Sequence, residues 1–427
     1  MRANQELLER GAALCDERDR RLAKELVSGT LRNLATLDAA LEDLSGVALE
    51  RIDGHLLGPL RIGLYQILHL DRIPPSAAVN ESVKLARSTS GTRGAGFVNA
   101  VLRKAVNGRD RLRAMPDQGL DAAALALQFS VPEWIVARWL DRWGQDETHD
   151  LLRSMSRPSP VSLWVNPALG TAEELARELR EEGIETRESE RIPHCLHVVK
   201  GNPATSRCFS EGKGYLQDEG SQAIALLMPV QAGMTILDAC AAPGGKSFIL
   251  ASRTGAGGKV IAVDRAVPRL RRLLHNRARL KIDNVFPLAA DMERRPPFSS
   301  AFDAVILDAP CTGTGVMGRH PEIRWRLDPG DLVSLVARQR NLLQSTAAAV
   351  APGGVLLYSV CSLEPEEGEE QIDWFVEAHP EFETVSLLPF LPILASDALG
   401  EGDSVCFLPH RHRTDGFFAA LLRRKAS

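Results

Sequence analysis

The C-terminal half of the chain contains five short apolar runs, and a helix-length segment separates each run from the next. The runs cover residues 235–237, 260–263, 286–289, 304–307 and 355–360. Strands that alternate with helices in this way predict an α/β fold, in which a doubly wound parallel sheet carries helices on both faces. Residues 416–422 form a further apolar run, which predicts an added strand at the edge of that sheet.

Length and charge limit the classes of protein to which the chain can belong. Its 427 residues are too many for one typical domain and suggest two or three. The net charge of −4 provides no global positive field, so nucleic-acid binding would need local basic patches. No apolar run approaches ~18 residues and the first residues lack a signal-peptide core, so we expect a cytoplasmic protein without membrane association.

The sequence predicts three segments before the doubly wound domain, which we place at residues 231–427. Leucines at helical spacing predict an all-helical domain over residues 1–112. A helical connector is expected over residues 113–158. Strands that alternate with a charged helix predict a small α/β module over residues 159–230.

The loop after the first strand of the doubly wound domain is rich in glycine. Its end, Gly245-Lys246-Ser247, matches the last residues of a phosphate-binding P-loop, which leaves an ATPase as one interpretation. Against it, Cys240 stands where the first glycine of that motif belongs, and Pro243 removes a backbone N–H from the phosphate cradle.

S-adenosylmethionine fits the same strand ends better, because this cation carries an adenosine and an amino acid rather than a pyrophosphate. Asp264 ends the second strand, where it would bind the ribose hydroxyls, and Asp291 ends the third, where it would bind the adenine amino group. The alternative is that such acids simply cap helices. We predict both acids and the loop as the cofactor site. The loop residues are Cys240, Ala241, Ala242, Pro243, Gly244, Gly245 and Lys246.

Two cysteines, Cys311 and Cys361, follow the fourth and fifth predicted strands. The carboxyl ends of the strands in an open α/β sheet form its ligand crevice, so two thiols there indicate covalent chemistry. The chain has seven cysteines and no C-x-x-C pair, so we expect no metal site. Four further cysteines are expected to be structural: Cys15, Cys195, Cys208 and Cys406.

Several segments together resemble the signature motifs of RNA cytosine-5 methyltransferases. They are residues 241–246, Asp308-Ala309-Pro310-Cys311, Val360-Cys361-Ser362, residues 214–222 and residues 320–325. Residues 74–83 and 97–103 resemble the NusB-type RNA-binding fold. The combination is similar to the bacterial 16S rRNA cytosine-5 methyltransferase family known as RsmB, Sun or Fmu, and the resemblance covers nearly the whole chain.

The resemblance implies a Rossmann-like methyltransferase domain that uses S-adenosyl-L-methionine, an RRM-like small module, and 16S rRNA rather than DNA as the substrate. It implies that Cys361 attacks carbon 6 of cytosine and that Cys311 assists product release. Asp308 would act as an acid at N3 and also line the cofactor site. DNA cytosine-5 methyltransferases attack from a Pro-Cys instead, which would nominate Cys311. We expect a flipped or unpaired cytosine and a monomeric enzyme.

Four basic residues next to the catalytic segment are our candidates for contacts with RNA phosphates: Arg319, His320, Arg324 and Arg326. An alternative from another functional class is a non-catalytic RNA-binding factor in which the helical domain carries the function. The presence of Asp308, Cys311 and Cys361 together argues against it.

Overall fold

The computed structural model describes residues 16–113, 119–294, 298–299, 301–387, 389 and 403–426. It divides into two compact units. One comprises Met1–Arg157 with His320–Arg326, and the other comprises Pro158–Arg319 with Leu327–Ser427. Cys15, predicted to be a structural cysteine, lies outside the described residues. Within the described part of the chain, no helix is both long and apolar enough to span a bilayer.

The first unit is helical, as the leucine spacing predicts. The Asp16 side chain caps the first helix by accepting hydrogen bonds from two backbone N–H groups. Leu60 and Leu64 are fully buried in its core. The fourth helix breaks at Gly91, whose φ of +68° is accessible to glycine at low cost. The helices are α1 (Glu17–Arg32), α2 (Leu34–Ser45), α3 (Gly54–His69), α4 (Pro75–Asn107), α5 (Arg109–Arg113), α6 (Ala122–Phe129) and α7 (Glu133–Met155).

The second unit begins with the small α/β module, an antiparallel sheet of four strands in the order β2-β3-β1-β4. Its helix α8 starts with a capping box, in which Thr171 and Glu174 each accept a hydrogen bond from the other's backbone N–H. Leu175 and Leu179 form the buried face of that helix. The elements are β1 (Ser162–Val165), α8 (Ala172–Glu181), β2 (Glu185–Glu188), β3 (Cys195–Lys200), α9 (Arg207–Ser210), β4 (Gly214–Leu216) and α10 (Glu219–Leu226).

A second, eight-stranded sheet has the order β10-β12-β9-β8-β5-β6-β7, and β11 pairs with β12. Successive residues of β5 face opposite sides of the sheet, so Ile236 packs in one apolar core and Leu237 in the other. The elements are β5 (Thr235–Asp238), α11 (Gly245–Thr254), β6 (Lys259–Asp264), α12 (Val267–Arg279), β7 (Val285–Ala289), β8 (Phe302–Asp308), α13 (Pro329–Ala347), β9 (Val350–Val360), α14 (Glu369–Ala378), β10 (Phe382–Val385), β11 (Val405–Phe407), α15 (Pro409–His412) and β12 (Phe417–Arg424).

All five strands predicted from the apolar runs are present, and β5 to β9 pair in parallel. β9 is longer than expected because it begins at Val350. The prediction that the last apolar run forms an edge strand is wrong. β12 lies inside the sheet, antiparallel to β9, and both β10 and β11 pair with its other side. These two strands have only four and three residues, too few for an apolar pattern to show.

The order of the parallel strands reverses at β5, which lies between β6 and β8. A crevice forms at such a switch point, beyond the carboxyl ends of the strands. Asp238 ends β5, Asp264 ends β6 and Asp308 ends β8. The sheet therefore brings the predicted site residues to one edge.

Candidate active site

The Asp308 carboxylate, at the end of β8, accepts hydrogen bonds from two side chains. Lys246 Nζ donates to Oδ2 over 2.8 Å, and Ser359 Oγ donates to Oδ1 over 2.9 Å. Lys246 also donates to Ser221 Oγ over 3.0 Å, so the ammonium group is itself fixed. The Asp308 side chain keeps 33% of its surface exposed. This carboxylate is held in one orientation and is still accessible to a substrate.

The two predicted catalytic thiols meet next to Asp308. The Sγ atoms of Cys311 and Cys361 are 3.4 Å apart, and both side chains are half-buried. The hydrogen bond with Cys361, together with burial, raises the pKa of Cys311 well above its ordinary value. Because the thiolate is the nucleophilic form, Cys311 is a poor nucleophile as long as it keeps its proton.

The glycine-rich loop folds tightly between β5 and α11. Ala241 and Ala242 are buried, whereas Pro243 is exposed. Gly244 has a φ of +108°, and a Cβ atom there would lie 2.6 Å from the Phe248 ring, so only glycine fits. The loop thus presents backbone rather than side chains to the crevice.

The remaining loop residues have different surroundings. Gly245 and Lys246 form the first turn of α11, with Lys246 directed to Asp308. Cys240 is half-buried, and burial raises the pKa of its thiol, so it is suited to packing rather than to attack.

Asp264 is hydrogen-bonded to the glycine-rich loop, whereas the hydrogen bond of Asp291 is to a residue after β7. The Asp264 carboxylate accepts hydrogen bonds from the N–H groups of Ala242 at 3.2 Å and Ala266 at 2.8 Å. It therefore both caps a turn and joins the end of β6 to the loop. Asp291 accepts from the Glu293 N–H over 3.1 Å and so caps the short helix after β7. For Asp291 the capping alternative describes the observed hydrogen bond.

Asp238 is the acid that lies deepest in the site, with 1% of its surface exposed. Its Oδ2 accepts a hydrogen bond from Ser247 Oγ over 2.6 Å, while its Oδ1 is buried and has no hydrogen-bond partner among the described residues. Burial, which disfavours the charged form, raises the pKa of Asp238 to about 7.

We expect the substitution Asp238→Asn to change how stability depends on pH. A carboxyl whose pKa is raised in the folded state stabilises the fold at low pH, and this contribution declines as pH rises from about 4 through 7. The free energy of unfolding of D238N relative to the wild type should therefore increase by up to about 1.4 kcal/mol per pH unit in this range. Urea unfolding at pH 5, 6, 7 and 8 measures it. The exposed Asp373→Asn control should give a difference that does not vary with pH, and a flat D238N difference would contradict the expectation.

Two of the basic residues predicted to contact RNA phosphates bind other groups of the protein. Arg319 forms ion pairs with Asp218 at 2.8 Å and Asp415 at 2.6 Å. Arg324 is 1% exposed and donates to backbone carbonyls of the helical unit. The prediction that Arg324 contacts RNA phosphates is contradicted by its burial, since a charged residue in a loop is usually expected to face solvent. Arg319 keeps 27% of its side chain exposed and stays a candidate.

Sequence reasoning missed several groups. Ser359 lies in a strand that reads as apolar, and Glu367 lies in an acidic run that is typical of a solvated segment. A third group consists of Cys195, His197 and Glu219, whose donor atoms lie within 4.8 Å of one another, as a metal site would require. There His197 pairs with Glu219 over 3.4 Å, and Cys195 is buried as predicted for a structural thiol. Cys195 and His197 lie two residues apart on one strand and so face the same side of the sheet, and this spacing is the sequence signal that indicates the cluster.

The reversed parallel sheet, the glycine-rich loop after β5 and the acids at the strand ends define an S-adenosylmethionine-dependent methyltransferase. Residues 224–423 match the profile of the 16S rRNA methyltransferase RsmB/F. Residues 2–107 match the NusB family, and residues 131–205 match the RsmF/B ferredoxin-like domain. Ribosomal RNA small subunit methyltransferase B of Vibrio cholerae is 32% identical over 96% of this chain and 90% of its own length. The chain belongs to the ribosomal RNA small subunit methyltransferase B family.

Solved structures agree with this fold. The protein PH0851, whose crystal structure is known, is 31% identical in sequence. The match covers 98% of this chain and 93% of the PH0851 chain, and the two structures superpose with a TM-score of 0.82. NSun6 from Pyrococcus horikoshii, solved with SFG, shares the fold at 22% identity and a TM-score of 0.63, over 69% of this chain and 98% of its own.

The residues of this chain fit S-adenosylmethionine. The buried, unpartnered Asp238 Oδ1 and the carboxylate of Asp264 place acceptor oxygens beside the loop, which suit the ammonium group and ribose hydroxyls of this cofactor. The loop from Cys240 to Lys246 would hold the cofactor, and the bound cofactor supplies an electrophilic methyl group.

Proposed function

We propose that this protein transfers the methyl group of S-adenosylmethionine to carbon 5 of a cytosine in 16S rRNA, through a covalent bond between Cys361 and carbon 6. The observation that carries the proposal is the separation of 3.4 Å between the Cys311 and Cys361 sulfurs, beside the fixed carboxyl of Asp308. Carbon 5 of cytosine is too weak a nucleophile to react directly, so the chemistry needs a thiolate and an acid together.

In this proposal the Cys361 thiolate forms a bond to carbon 6, and the electron pair of the 5,6 double bond moves toward carbon 5 and N3. Asp308, acting as the acid, donates a proton to N3, which neutralises the negative charge that develops there, and takes this proton back when the double bond is restored. Carbon 5 then takes the methyl group. Cys311, once it has released its own thiol proton to solvent, accepts the proton from carbon 5, which restores the double bond and expels the Cys361 thiolate, so that both groups return to their starting state.

The environment of Cys311 supports this division of roles. Its pKa is raised first by the hydrogen bond with Cys361, and then by burial. Formation of the thioether takes the Cys361 sulfur out of this hydrogen bond, so the largest cause of the raised pKa of Cys311 is lost once the adduct has formed. Cys311 can then release its thiol proton, which leaves its sulfur able to accept the proton on carbon 5 at the step in which it is needed.

The two alternatives are less well supported. For an ATPase, Lys246 would have to bind phosphate, but its ammonium group is held by Asp308 and Ser221. A non-catalytic RNA-binding factor would not need two thiols and a carboxyl at one edge of the sheet. The family membership and the NusB-type domain favour rRNA as the substrate. We further propose a monomeric cytoplasmic enzyme that acts on a flipped cytosine.

The proposal is tested by incubating the protein with 16S rRNA and S-adenosylmethionine that carries a labelled methyl group, and then mapping the label. We expect label at carbon 5 of a single cytosine. Isothermal titration should show binding of S-adenosylmethionine and none of ATP. Label on another base or atom would overturn the cytosine-5 assignment, and tight ATP binding alone would favour the P-loop interpretation.

A further inference from the structure

Glu367 lies beside the two loops that carry Cys311 and Cys361, and its side chain has no exposed surface. It belongs to the turn that follows Cys361, and no step of the reaction described above uses it. Burial raises the pKa of this carboxyl, which shows that its position is costly for the charged form. Its hydrogen bonds to the surrounding groups offset part of that cost.

Those hydrogen bonds reach the residue that follows Cys311. The Thr312 N–H donates to Glu367 Oε1 over 2.9 Å, and the Thr312 hydroxyl donates to Oε2. Gln339, on α13, donates to Oε1 over 2.8 Å and to the Pro310 carbonyl over 3.0 Å. The carboxyl thus ties the Cys311 loop to a helix.

The same network reaches the residue that follows Cys361. The hydroxyls of Thr312 and Ser362 are 3.0 Å apart, and those of Thr314 and Ser362 are 3.2 Å apart. The Gly315 N–H also donates to the Cys361 carbonyl over 3.1 Å. Glu367 is therefore the buried centre of a network that joins both cysteine loops through the residue after each thiol.

We propose that Glu367 is a positioning residue that holds the Cys311 and Cys361 thiols at the separation and orientation that the reaction requires. This inference rests on the proposed function for the roles of the two thiols. Attack at carbon 6 and proton removal at carbon 5 need both sulfurs at defined places around one base. A displacement of about 1 Å in such a site lowers the rate by roughly 10²-fold.

The experiment compares Glu367→Met, which removes both acceptor oxygens, with the conservative Glu367→Gln. The Gln carbonyl still accepts from the Thr312 N–H and Gln339, and its amide faces a hydroxyl that rotates to accept. We expect Glu367→Met to lower kcat by roughly 10²-fold and Glu367→Gln to recover it to within about tenfold of the wild type. KM for RNA and the Kd for S-adenosylmethionine should stay within about twofold, because Glu367 has no exposed surface for a ligand to contact.

A second variant covers the case in which Glu367→Met does not fold. Thr312→Val removes the hydroxyl that links Glu367 to Ser362 and keeps the backbone N–H. Thr346→Val is its matched control, because Thr346 is also buried and its hydroxyl donates to the Leu342 and Leu343 carbonyls within α13. Both should lose similar stability on urea unfolding, and only Thr312→Val should lower kcat.

A measurement without RNA separates this inference from the proposed function. Diamide oxidises two nearby thiols to a disulfide and is itself reduced to the hydrazine as it takes up the two hydrogens. Peptide mass spectrometry follows the Cys311–Cys361 link, which should form at least about tenfold more slowly in Glu367→Met than in the wild type or Thr346→Val. Wild-type cross-linking and kcat in Glu367→Met or Thr312→Val would overturn the positioning role. If Glu367→Met cross-links more slowly as expected, but the Cys361→Ala enzyme still methylates RNA, only the proposed function would be overturned.

Discussion

Replacement of Cys361 by alanine is expected to abolish methyl incorporation, with a loss of at least about 10³-fold, because no other group supplies the bond to carbon 6. Replacement of Cys311 by alanine should instead leave the enzyme joined to its substrate, since the adduct forms and the proton on carbon 5 has no acceptor. The two sulfurs are 3.4 Å apart, so both thiols can act on the same bound cytosine.

Denaturing electrophoresis of the protein with labelled RNA distinguishes the two variants. Cys311→Ala should give a slowly migrating protein–RNA band, Cys361→Ala should give none, and the double variant should also give none. Cys406→Ala, which alters a thiol on β11, separated from β9 by β12, serves as the control and should retain wild-type activity. An adduct in Cys361→Ala with none in Cys311→Ala would reverse the two roles.

Replacement of Arg324 by methionine is expected to destabilise the helical unit by about 3–5 kcal/mol. The guanidinium group donates to the carbonyls of Phe129 at 2.9 Å and Met155 at 2.7 Å, and it also reaches those of Arg32 and Ser130. Methionine fills a similar volume but leaves these buried carbonyls without a donor. Burial lowers the pKa of Arg324 to about 9, so the carbonyls offset a considerable cost of removing the charge from water.

Urea unfolding monitored by tryptophan fluorescence measures the effect. The matched control is Arg326→Met, which removes an exposed guanidinium two residues away and should change the free energy of unfolding by no more than about 0.5 kcal/mol. RNA affinity provides the contrast: a loss of RNA binding by Arg324→Met without a loss of stability would restore the phosphate-contact role that the structure contradicts.

The parts of the fold that repeat along the chain were predictable, and the parts that depend on distant partners were not. The strands that carry Asp308 and Cys361 follow from apolar runs, and parallel pairing then requires their ends to meet. The burial of Glu367 and Arg324 could not be predicted, because each is charged and its partners lie elsewhere in the sequence. The hydrogen bonds of Asp291 were foreseen only as an alternative, since a carboxylate at a strand end suits a cap and a ligand equally well.

The position of β12 affects the order in which the methyltransferase fold is completed. It pairs with β9 from Val355 to Val360, directly before Cys361, and those residues are synthesised about sixty positions earlier. Until residues 417–424 leave the ribosome, the growing chain presents one side of β9 as an unpaired apolar edge. Such an edge binds other strands readily, so nascent chains interrupted between these two strands are the species most prone to aggregate.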